Sequence, residues 1–252
     1  MLINENDLKK MIVNLLLEDE EVKDLNLSNA ANLKPSQECY NSIWKHESPV
    51  PYIYDDGRKM SEDTAFKRYG NIVKGSVLQN IIKNKWPAGK MPYPSNSFEK
   101  NTGYPTIGAG HLIKNASEFE TFKDYTLDSI ASEENRKANS SVPLQEFLMS
   151  DEEMKELFKK DVDIHTQFKS RIKEKITQSM FDALTSIAYN SGWEQTKPIQ
   201  KLINLINKKQ FKSAQDQIKN LAVTSKGEVM QGLVSRRKEE STLFGKDGIP
   251  KV

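Results

Sequence analysis

The stretch Gly103–Ile113, GYPTIGAGHLI, joins two short apolar runs through a glycine-rich turn. We interpret it as a strand that begins at Thr106 and reverses at its glycines, where the backbone can approach other groups closely. A second stretch, ESPVPYIYDD at Glu47–Asp56, is predicted to face it. Glu47 would end a helix, Asp56 would follow an extended run, and Thr106 would point into the same cleft.

These three side chains suggest a chemistry. Two carboxyl groups around one sugar-binding site are the minimal equipment for glycoside hydrolysis, since one protonates the leaving oxygen and the other handles a water. Glu47 and Asp56 supply that pair, and a hydroxyl donor such as Thr106 could hold the water. The alternative is that both acids are ordinary surface residues, two among 35 in the chain, and that the glycine-rich stretch is only a strand and a turn.

The two stretches resemble the active-site signature of the phage-type lysozymes, the endolysin family that includes the T-even phage lysozyme. The matching positions are Glu47, Tyr54, Asp56, Gly103, Thr106, Ile107, Gly108, Gly110 and His111. Three later stretches are similar to that family's long inter-lobe helix, buried central helix and closing helix, in that order: Met149–Asp163, Gln178–Gly192 and Gly232–Phe244. Together the motifs cover most of the chain from Ile43 to Phe244.

The resemblance implies an α+β, lysozyme-like fold. It consists of a small N-terminal lobe with a β-hairpin or sheet, a long linking helix and an all-helical C-terminal lobe, with the active site between the lobes. The predicted divisions are an N-terminal helical extension, the lobe with the hairpin, and the linking helix with the helical lobe, at residues 1–35, 36–150 and 151–252.

An insertion at residues 58–102 departs from the family, because the resembling enzymes have only a few residues there. Much of it is patterned like helices. The insertion could line or roof the cleft, or it could be a recognition surface for an inhibitor. It also makes the assignment of Asp56 less secure than that of Glu47, because Asp55 is adjacent and the register could slip by one residue.

Glu47 is predicted to lie on the last turn of a helix from Ser36, which Pro49 ends because the residue before a proline disfavours helical geometry. Ile43 and Trp44 would share its face and partly desolvate the carboxyl. Desolvation favours the protonated form that a general acid needs, whereas a nearby cation opposes it. By resemblance that cation is Arg236, a positioning partner of Glu47, and the sequence leaves open which effect wins.

Other residues take roles by resemblance. Sugar contacts are implied for Gly110, Leu112, Tyr189 and Asn190, although the last two also fit a core position and a helix cap.

Considered without the resemblance, His111 could be a metal ligand, a general base or an ion-pair partner. The family resemblance favours the ion pair, with Asp161 on the long helix. We predict that this pair raises the pKa of His111, so that its stabilising contribution is lost as pH rises through the folded pKa.

Local patterns predict further elements. Ser150 and Glu153 have the spacing of a capping box, which begins a helix. Lys114–Pro143 is polar and weakly patterned, with an exposed loop at 132–141. An apolar face between Leu8 and Leu16 predicts a helix that packs or docks a delivery partner. Short helices are expected to close the C-terminal lobe at Ile199–Ile206, Phe211–Leu221 and Glu228–Phe244.

Composition describes a globular chain. Its 252 residues are 29% charged and 37% hydrophobic, which is too apolar for a disordered protein and sufficient for a substantial core. The net charge is only +2, but residues 151–252 hold 19 Lys and Arg against 14 Asp and Glu. This basic part favours approach to an anionic polymer such as cell wall or nucleic acid, or is simply a lysine-rich helical surface.

Several classes of protein are disfavoured. Cys39 is the single cysteine, so no intramolecular disulfide is possible and a buried apolar role is expected. No hydrophobic run approaches the roughly 20 residues of a membrane span, and the N-terminus lacks the leader of a secretory signal. With three histidines and no ligand spacing, we expect no metal.

The predicted function is hydrolysis of the β-1,4 bond between N-acetylmuramic acid and N-acetylglucosamine in peptidoglycan, without a cofactor. By resemblance the reaction inverts the anomeric carbon, which requires carboxyl groups roughly 6.5–9.5 Å apart. We expect a monomer that binds no nucleic acid and does not insert stably into membranes. It would be made in the cytoplasm without a signal peptide and delivered to the periplasm or wall by a holin or a secretion system.

Two alternatives stay open. The same muramidase could serve as a secreted antibacterial toxin whose partner is an immunity protein. A second possibility is a lysozyme-like module that binds the wall without cutting it, which the presence of all three candidate catalytic residues disfavours.

Overall fold

A computed structural model describes residues 25–56, 98, 104–126, 129, 148–225 and 227–250. In chain order its regular elements are β1 (Ser28–Asn29), α1 (Gln37–Glu47), β2 (Val50–Asp55), β3 (Pro105–Gly108), β4 (His111–Leu112), α2 (Ala116–Phe122), α3 (Asp151–His165), β5 (Lys175–Ile176), α4 (Gln178–Ser191), α5 (Ile199–Asn207), α6 (Phe211–Ile218), β6 (Thr224–Ser225), β7 (Glu228–Val229) and α7 (Gln231–Phe244). Short 3-10 helices occur at Ala30–Asn32, Lys123–Tyr125 and Thr166–Arg171. The helices predicted between Leu8 and Leu16 and in the insertion at 58–102 lie outside the described residues.

The fold class is the α+β class that the sequence predicts, mostly helical with small antiparallel sheets. The chain divides into two compact units. We call Tyr40–Ile164 the hairpin unit, and Met1–Cys39 together with His165–Val252 the helical unit.

The hairpin unit contains a three-stranded antiparallel sheet in the order β2-β3-β4. Tyr54 pairs with Thr106 and Val50 with Gly108, and a bulge lies between these pairs. Pro51 is tolerated because β2 is an edge strand, and its carbonyl oxygen accepts a hydrogen bond from Met149 N at 3.0 Å. The register fixes the Asp55–Asp56 end of β2 beside the beginning of β3.

The core of the hairpin unit lies under this sheet. Its buried side chains are Ile53, Ile107, Ile113, Phe119, Met149 and Met154. Phe119 belongs to α2, a helix inside the polar and weakly patterned stretch Lys114–Pro143. Asn115 caps α2, since its side chain accepts a hydrogen bond from Glu118 N at 2.9 Å. The pair Asn115 and Glu118, three residues apart, was the local signal for this helix.

In the helical unit, α4 is the central element. Ten consecutive residues, Ser179 to Ala188, are buried, because α5, α6 and α7 surround the helix together with the segment before α1. Thr177 caps the start of α4 by accepting a hydrogen bond from Met180 N at 3.2 Å. Gly192 ends it with φ 87° and donates to the Ala188 carbonyl oxygen, as the sequence predicts.

The segment 25–39 packs into the helical unit. β1 pairs antiparallel with β5, with Ser28 opposite Ile176. Ser36 donates twice to the Asp182 carboxylate, from its backbone N at 3.1 Å and from its hydroxyl at 2.5 Å. Burial outweighs these hydrogen bonds and leaves the pKa of Asp182 raised. Cys39 is buried as predicted.

Two expectations about the C-terminal part need correction. The lobe is not all-helical, because β1 pairs with β5 and β6 with β7. The last helix starts at Gln231 rather than at Glu228, since Glu228 and Val229 form β7 opposite Ser225 and Thr224. The divisions at 35/36 and 150/151 stay a prediction, and the two compact units change over at 39/40 and 164/165.

The predicted capping box begins α3. Ser150 N donates to Glu153 Oε2 at 2.8 Å, and Glu153 N donates to Ser150 Oγ at 3.2 Å. Two N–H groups that have no intrahelical partner at this helix start are therefore satisfied.

Candidate active site

Glu47 is the last residue of α1, where the chain turns into β2. Ser48 adopts a left-handed backbone with φ 47°, and the following Pro49 prevents the helix from continuing. The Glu47 side chain is half-buried, as Ile43 and Trp44 predict. Ile43 is fully buried, and Trp44 makes an edge-on contact with Phe158 at 5.2 Å between ring centroids.

Asp55 and Asp56 differ in burial and in the hydrogen bonds that they form. Asp55 is 4% exposed, and its carboxylate accepts a hydrogen bond from Tyr104 N at 3.2 Å. Asp56 is exposed and in a turn, with its own N donating to the Tyr104 carbonyl oxygen at 3.1 Å. Asp55 therefore holds the strand ends together, whereas the Asp56 carboxylate is available to solvent.

The Thr106 hydroxyl is oriented by the same residue. Thr106 is buried in β3 and donates to the Tyr104 carbonyl oxygen at 2.9 Å. Its proton is thus engaged, and the oxygen presents lone pairs to any other partner. The expected hydroxyl donor is therefore better described as a hydroxyl acceptor.

The Tyr54 phenol interacts electrostatically with both candidate carboxylates, Asp56 and Glu47. Its phenol is buried opposite Thr106. Burial raises the pKa of Tyr54 most, and the negative charges of Asp56 and Glu47 raise it further. Both carboxylates therefore lie within electrostatic range of one hydroxyl group in the hairpin unit.

His111 lies against Asp161, as predicted. Its Nδ1 is 2.9 Å and 3.0 Å from the two carboxylate oxygens of Asp161, and its Nε2 is 3.2 Å from Glu118 Oε1. Burial lowers the pKa of His111, but the hydrogen bond and charge of Asp161, together with Glu118, outweigh burial and leave it raised. Glu118 belongs to α2, a helix that was not predicted from the sequence, so this second partner of His111 was not predicted either.

The turn between β3 and β4 exposes the predicted sugar-contacting residues of the hairpin unit. Gly110 has φ 97°, a conformation that favours glycine, and Leu112 is 40% exposed. Tyr104, for which the sequence predicts no role, is more exposed still, at 63%. Its backbone is fixed on both sides by Asp55, Asp56 and Thr106, so an aromatic ring is held in solvent beside the candidate catalytic residues.

In the helical unit, the predicted residues Arg236 and Asn190 belong to a cluster of buried and partly buried polar side chains around Glu240. Arg236 Nε is 3.2 Å from Glu240 Oε1, and Arg237 donates to the other oxygen of the same carboxylate. The Ser186 hydroxyl adds a hydrogen bond to Glu240 at 2.6 Å. Arg237 also donates to the side-chain oxygen of Asn190. The contact of Arg236 with Glu47 stays a prediction.

Tyr189, the residue before Asn190, is half-buried in α4. Its ring centroid lies 5.0 Å from that of His165. Its contact with sugar, like that of Asn190, stays a prediction.

Among the described residues, no three His, Cys, Asp or Glu side chains are grouped so that they could hold a metal ion. In that same part of the chain no helix combines the length and apolar character needed to cross a membrane.

Comparison with known proteins supplies the family. Residues 93–240 match the phage lysozyme family. The endolysin of Bacillus phage B103 is 36% identical over 98 residues, which cover 38% of this chain and 36% of that protein. The match thus spans about a third of the length of this curated relative. Thr106, His111 and Asp161 lie inside the family match, while Glu47 and Asp56 precede it.

Two solved structures are similar at low identity. The endolysin from Escherichia coli O157:H7 phage FAHEc1 has a TM-score of 0.49 and 19% identity, and the alignment covers 87% of this chain and 98% of that one. The muramidase domain of SpmX from Asticaccaulis excentricus has a TM-score of 0.46 and 15% identity, with coverage of 84% and 97%. Since the family match alone extends over more than half of the sequence, this chain belongs to the phage lysozyme family.

Proposed function

We propose that this chain is a peptidoglycan hydrolase, an N-acetylmuramidase that cleaves the β-1,4 bond between N-acetylmuramic acid and N-acetylglucosamine. Membership of the phage lysozyme family supports the substrate class. The observation that carries the proposal is the register of β2 and β3, which pairs Tyr54 with Thr106 and places the exposed Asp56 at the same strand end. The negative charges of Asp56 and Glu47 both add to the rise in the pKa of Tyr54 that burial causes.

Glu47 is the general acid in this proposal. As the glycosidic bond breaks, the leaving oxygen takes the proton of the Glu47 carboxyl, and charge on the sugar is neutralised by the incoming water. The position of Glu47 supports this role, because its half-buried carboxyl group lies on the last turn of α1, directly before β2.

Asp56 and Thr106 activate the water. With its own proton donated to the Tyr104 carbonyl oxygen, the Thr106 oxygen can accept one proton of the water as a hydrogen bond. Asp56 accepts the other and removes it as the bond from oxygen to the anomeric carbon forms. Both water protons then point away from the sugar, and an oxygen lone pair is directed at the reacting carbon. Attack from the side opposite the leaving group inverts that carbon.

Sugar contacts are assigned to the exposed residues beside this water. Leu112 and the Gly110 backbone form one edge, and the Tyr104 ring offers an apolar face of the kind on which a pyranose stacks. Tyr189 and Asn190 are further proposed contacts. Arg236 is proposed to position the Glu47 carboxyl. In this proposal a holin or a secretion system delivers the enzyme to the wall.

The test is release of soluble muropeptides from purified sacculi. Wild type should release fragments whose new ends are muramic acid that borohydride reduces, identified by mass spectrometry. Glu47→Gln should release none, while Glu120→Gln, the same change at an exposed residue of α2, should match wild type. NMR of the first product formed should show the α-anomer, as inversion of a β-linkage requires.

Three results would each contradict a different part of this proposal. Release by Glu47→Gln at the wild-type rate would remove Glu47 from the mechanism. A first product that keeps the β-configuration would contradict inversion. Binding of sacculi without release by wild type would make the chain a wall-binding module rather than a hydrolase.

A further inference from the structure

The helical unit contains three arginines that differ in how their charge is balanced. Arg236 and Arg237 share the Glu240 carboxylate. Arg171, at the end of the 3-10 helix Thr166–Arg171, is held by neutral acceptors instead: it donates to Gln200 Oε1 at 2.7 Å and to the Trp193 carbonyl oxygen. Among the described residues, no carboxylate lies within ion-pair distance of the Arg171 guanidinium.

The backbone around Arg171 is fixed as well. The Asn207 side chain accepts a hydrogen bond from Lys173 N at 2.8 Å and donates to the Arg171 carbonyl oxygen at 2.9 Å. Gln200, which holds the guanidinium, donates in turn to Asn204 Oδ1 at 2.9 Å. These amides hold the cation in place before any ligand arrives, which reduces the entropy lost on binding.

Arg171 lies where two open depressions of the surface meet. The first, of about 590 Å³, is lined by Lys169, Arg171, Trp193 and Glu194 among others. The second, of about 610 Å³, also contains Arg171 and adds Lys173. Three cations therefore face one acid across the two depressions, and the half-buried Trp193, whose ring centroid is 6.0 Å from Arg171 Cζ, supplies an apolar surface beside them.

We propose that these depressions bind an anionic, sugar-containing segment of the bacterial cell wall. A carboxylate or phosphate group contacts Arg171, Lys169 and Lys173, and a sugar ring lies against Trp193. Arg171 retains donors beyond the two that it uses, and a guanidinium pairs well with such anions. The aromatic surface distinguishes this site from a purely electrostatic patch, because a polyanion without sugar rings would leave Trp193 unused.

This inference rests on the proposed function for its ligand, since it assumes that the chain works at the cell wall. It adds a second contact with the wall, distinct from the residues that cut it. Two sources carry the required chemistry: the peptide-stem carboxylates of peptidoglycan itself, and anionic polymers attached to the wall.

The test compares two readouts in the full chain. Binding is measured by sedimentation with purified sacculi, at low and high salt, and hydrolysis is measured on a short soluble glycan that occupies only the active site. The variants are Lys169→Gln/Lys173→Gln and Trp193→Ala. The control is Lys212→Gln, which removes an exposed charge on α6 that pairs with Asp216.

We expect Lys169→Gln/Lys173→Gln and Trp193→Ala to weaken sacculus binding about tenfold, as loss of charge-assisted hydrogen bonds or of an aromatic contact predicts. Soluble-glycan hydrolysis should not change, and Lys212→Gln should bind like wild type. Trp193→Ala should still bind polyglutamate normally, while the double lysine variant should not. Sacculi stripped of attached polymers should bind like intact ones if stem carboxylates are the ligand, and weakly if the attached polymer is.

Unchanged sacculus binding by both variants would overturn the inference. So would equal losses of Trp193→Ala on sacculi and on polyglutamate, because binding would then follow charge alone. A wild type that cuts neither substrate, but whose sacculus binding the variants weaken, would refute the hydrolase and leave this binding site standing.

Discussion

Two neighbouring carboxylates show, at the scale of single residues, how the backbone decides which acid is available for chemistry. Asp55 is buried and bonded to Tyr104 N, whereas Asp56 is exposed. We predict that Asp55→Ala leaves the Tyr104 N–H without its acceptor and lowers the free energy of unfolding by about 1–3 kcal/mol. Asp56→Ala should change that energy by no more than about 0.5 kcal/mol and abolish muropeptide release.

Chemical denaturation and the sacculus assay, run on both variants, check this prediction. Each variant is the control for the other, because the same side-chain atoms are removed one residue apart. Full activity in Asp56→Ala together with a stable but inactive Asp55→Ala would exchange the two roles.

His111 gives a pH dependence at the same scale. Because Asp161 and Glu118 raise the pKa of His111, its charged form stabilises the fold below its unfolded pKa of about 6.5. That contribution is lost as pH rises through the folded pKa. Asp161→Asn should therefore lower the free energy of unfolding by about 1–2 kcal/mol at pH 5.5 and by clearly less at pH 8.5.

An NMR titration of His111 checks the cause, since its pKa should fall in Asp161→Asn. Asp163→Asn is the matched control on the same helix, where the carboxylate accepts a hydrogen bond from the Tyr40 hydroxyl. A normal or lowered pKa of His111 in the wild type would contradict the assignment of the ion pair.

Some of these residues could be predicted from sequence, and the reason is their local context. Pro49 ends the helix after Glu47, which fixes the position of Glu47. The extended run Val50–Asp55 then leads to the turn at Asp56. The pairing of His111 with Asp161 came from the family resemblance. Glu118 and Tyr104 were missed because their importance depends on residues elsewhere in the fold. Glu118 contacts His111 of β4, and Tyr104 is held by Asp55 and Asp56 at the end of β2.

At the scale of elements, Gly192 tests why α4 ends where it does. Its φ of 87° and ψ of 160° belong to a region that glycine alone adopts readily. A Cβ there would also lie 2.7 Å from Glu194 Oε2 and 2.9 Å from Lys197 Cε. Gly192→Ala should therefore lower the free energy of unfolding by about 1–3 kcal/mol.

Gly232→Ala is the matched control, because Gly232 lies in α7 with no atom within 4 Å of its added Cβ. It should stabilise the protein by about 0.5–1 kcal/mol, the gain in helix propensity. Thermal unfolding of both variants gives the answer, and equal effects of the two changes would show that the backbone conformation at Gly192 carries no special cost.

Helix ends could be predicted because their sequence signals are local. For the same reason, single substitutions can test them. The Ser150 capping box and the Gly192 cap are complete within four or five residues, so the sequence displays them. The two-residue strands β5, β6 and β7 are too short for any period to appear. Glu228 and Val229 were accordingly assigned to a helix, although their backbone pairs with Thr224 and Ser225.

At the scale of the whole molecule, the chain assembles one unit from segments far apart in sequence. Ser28 pairs with Ile176, and Ser36 bonds to Asp182 across 146 positions. Ala30, in the 3-10 helix that follows β1, is 1% exposed in the same core as Phe181 and Leu184. No composition or periodicity between residues 25 and 39 identifies such partners, so these contacts could not be predicted from the sequence.

Ala30 provides the test of this assembly, with Ala31 as its control. Ala30→Asp places an unpaired carboxylate in the core of the helical unit and should lower the free energy of unfolding by about 3–5 kcal/mol, as other uncompensated buried charges do. Ala31 is exposed, so Ala31→Asp should be nearly neutral. Hydrogen exchange should show faster exchange of the α4 amides in Ala30→Asp alone. Normal protection of α4 in that variant would mean that segment 25–39 is not part of the helical core.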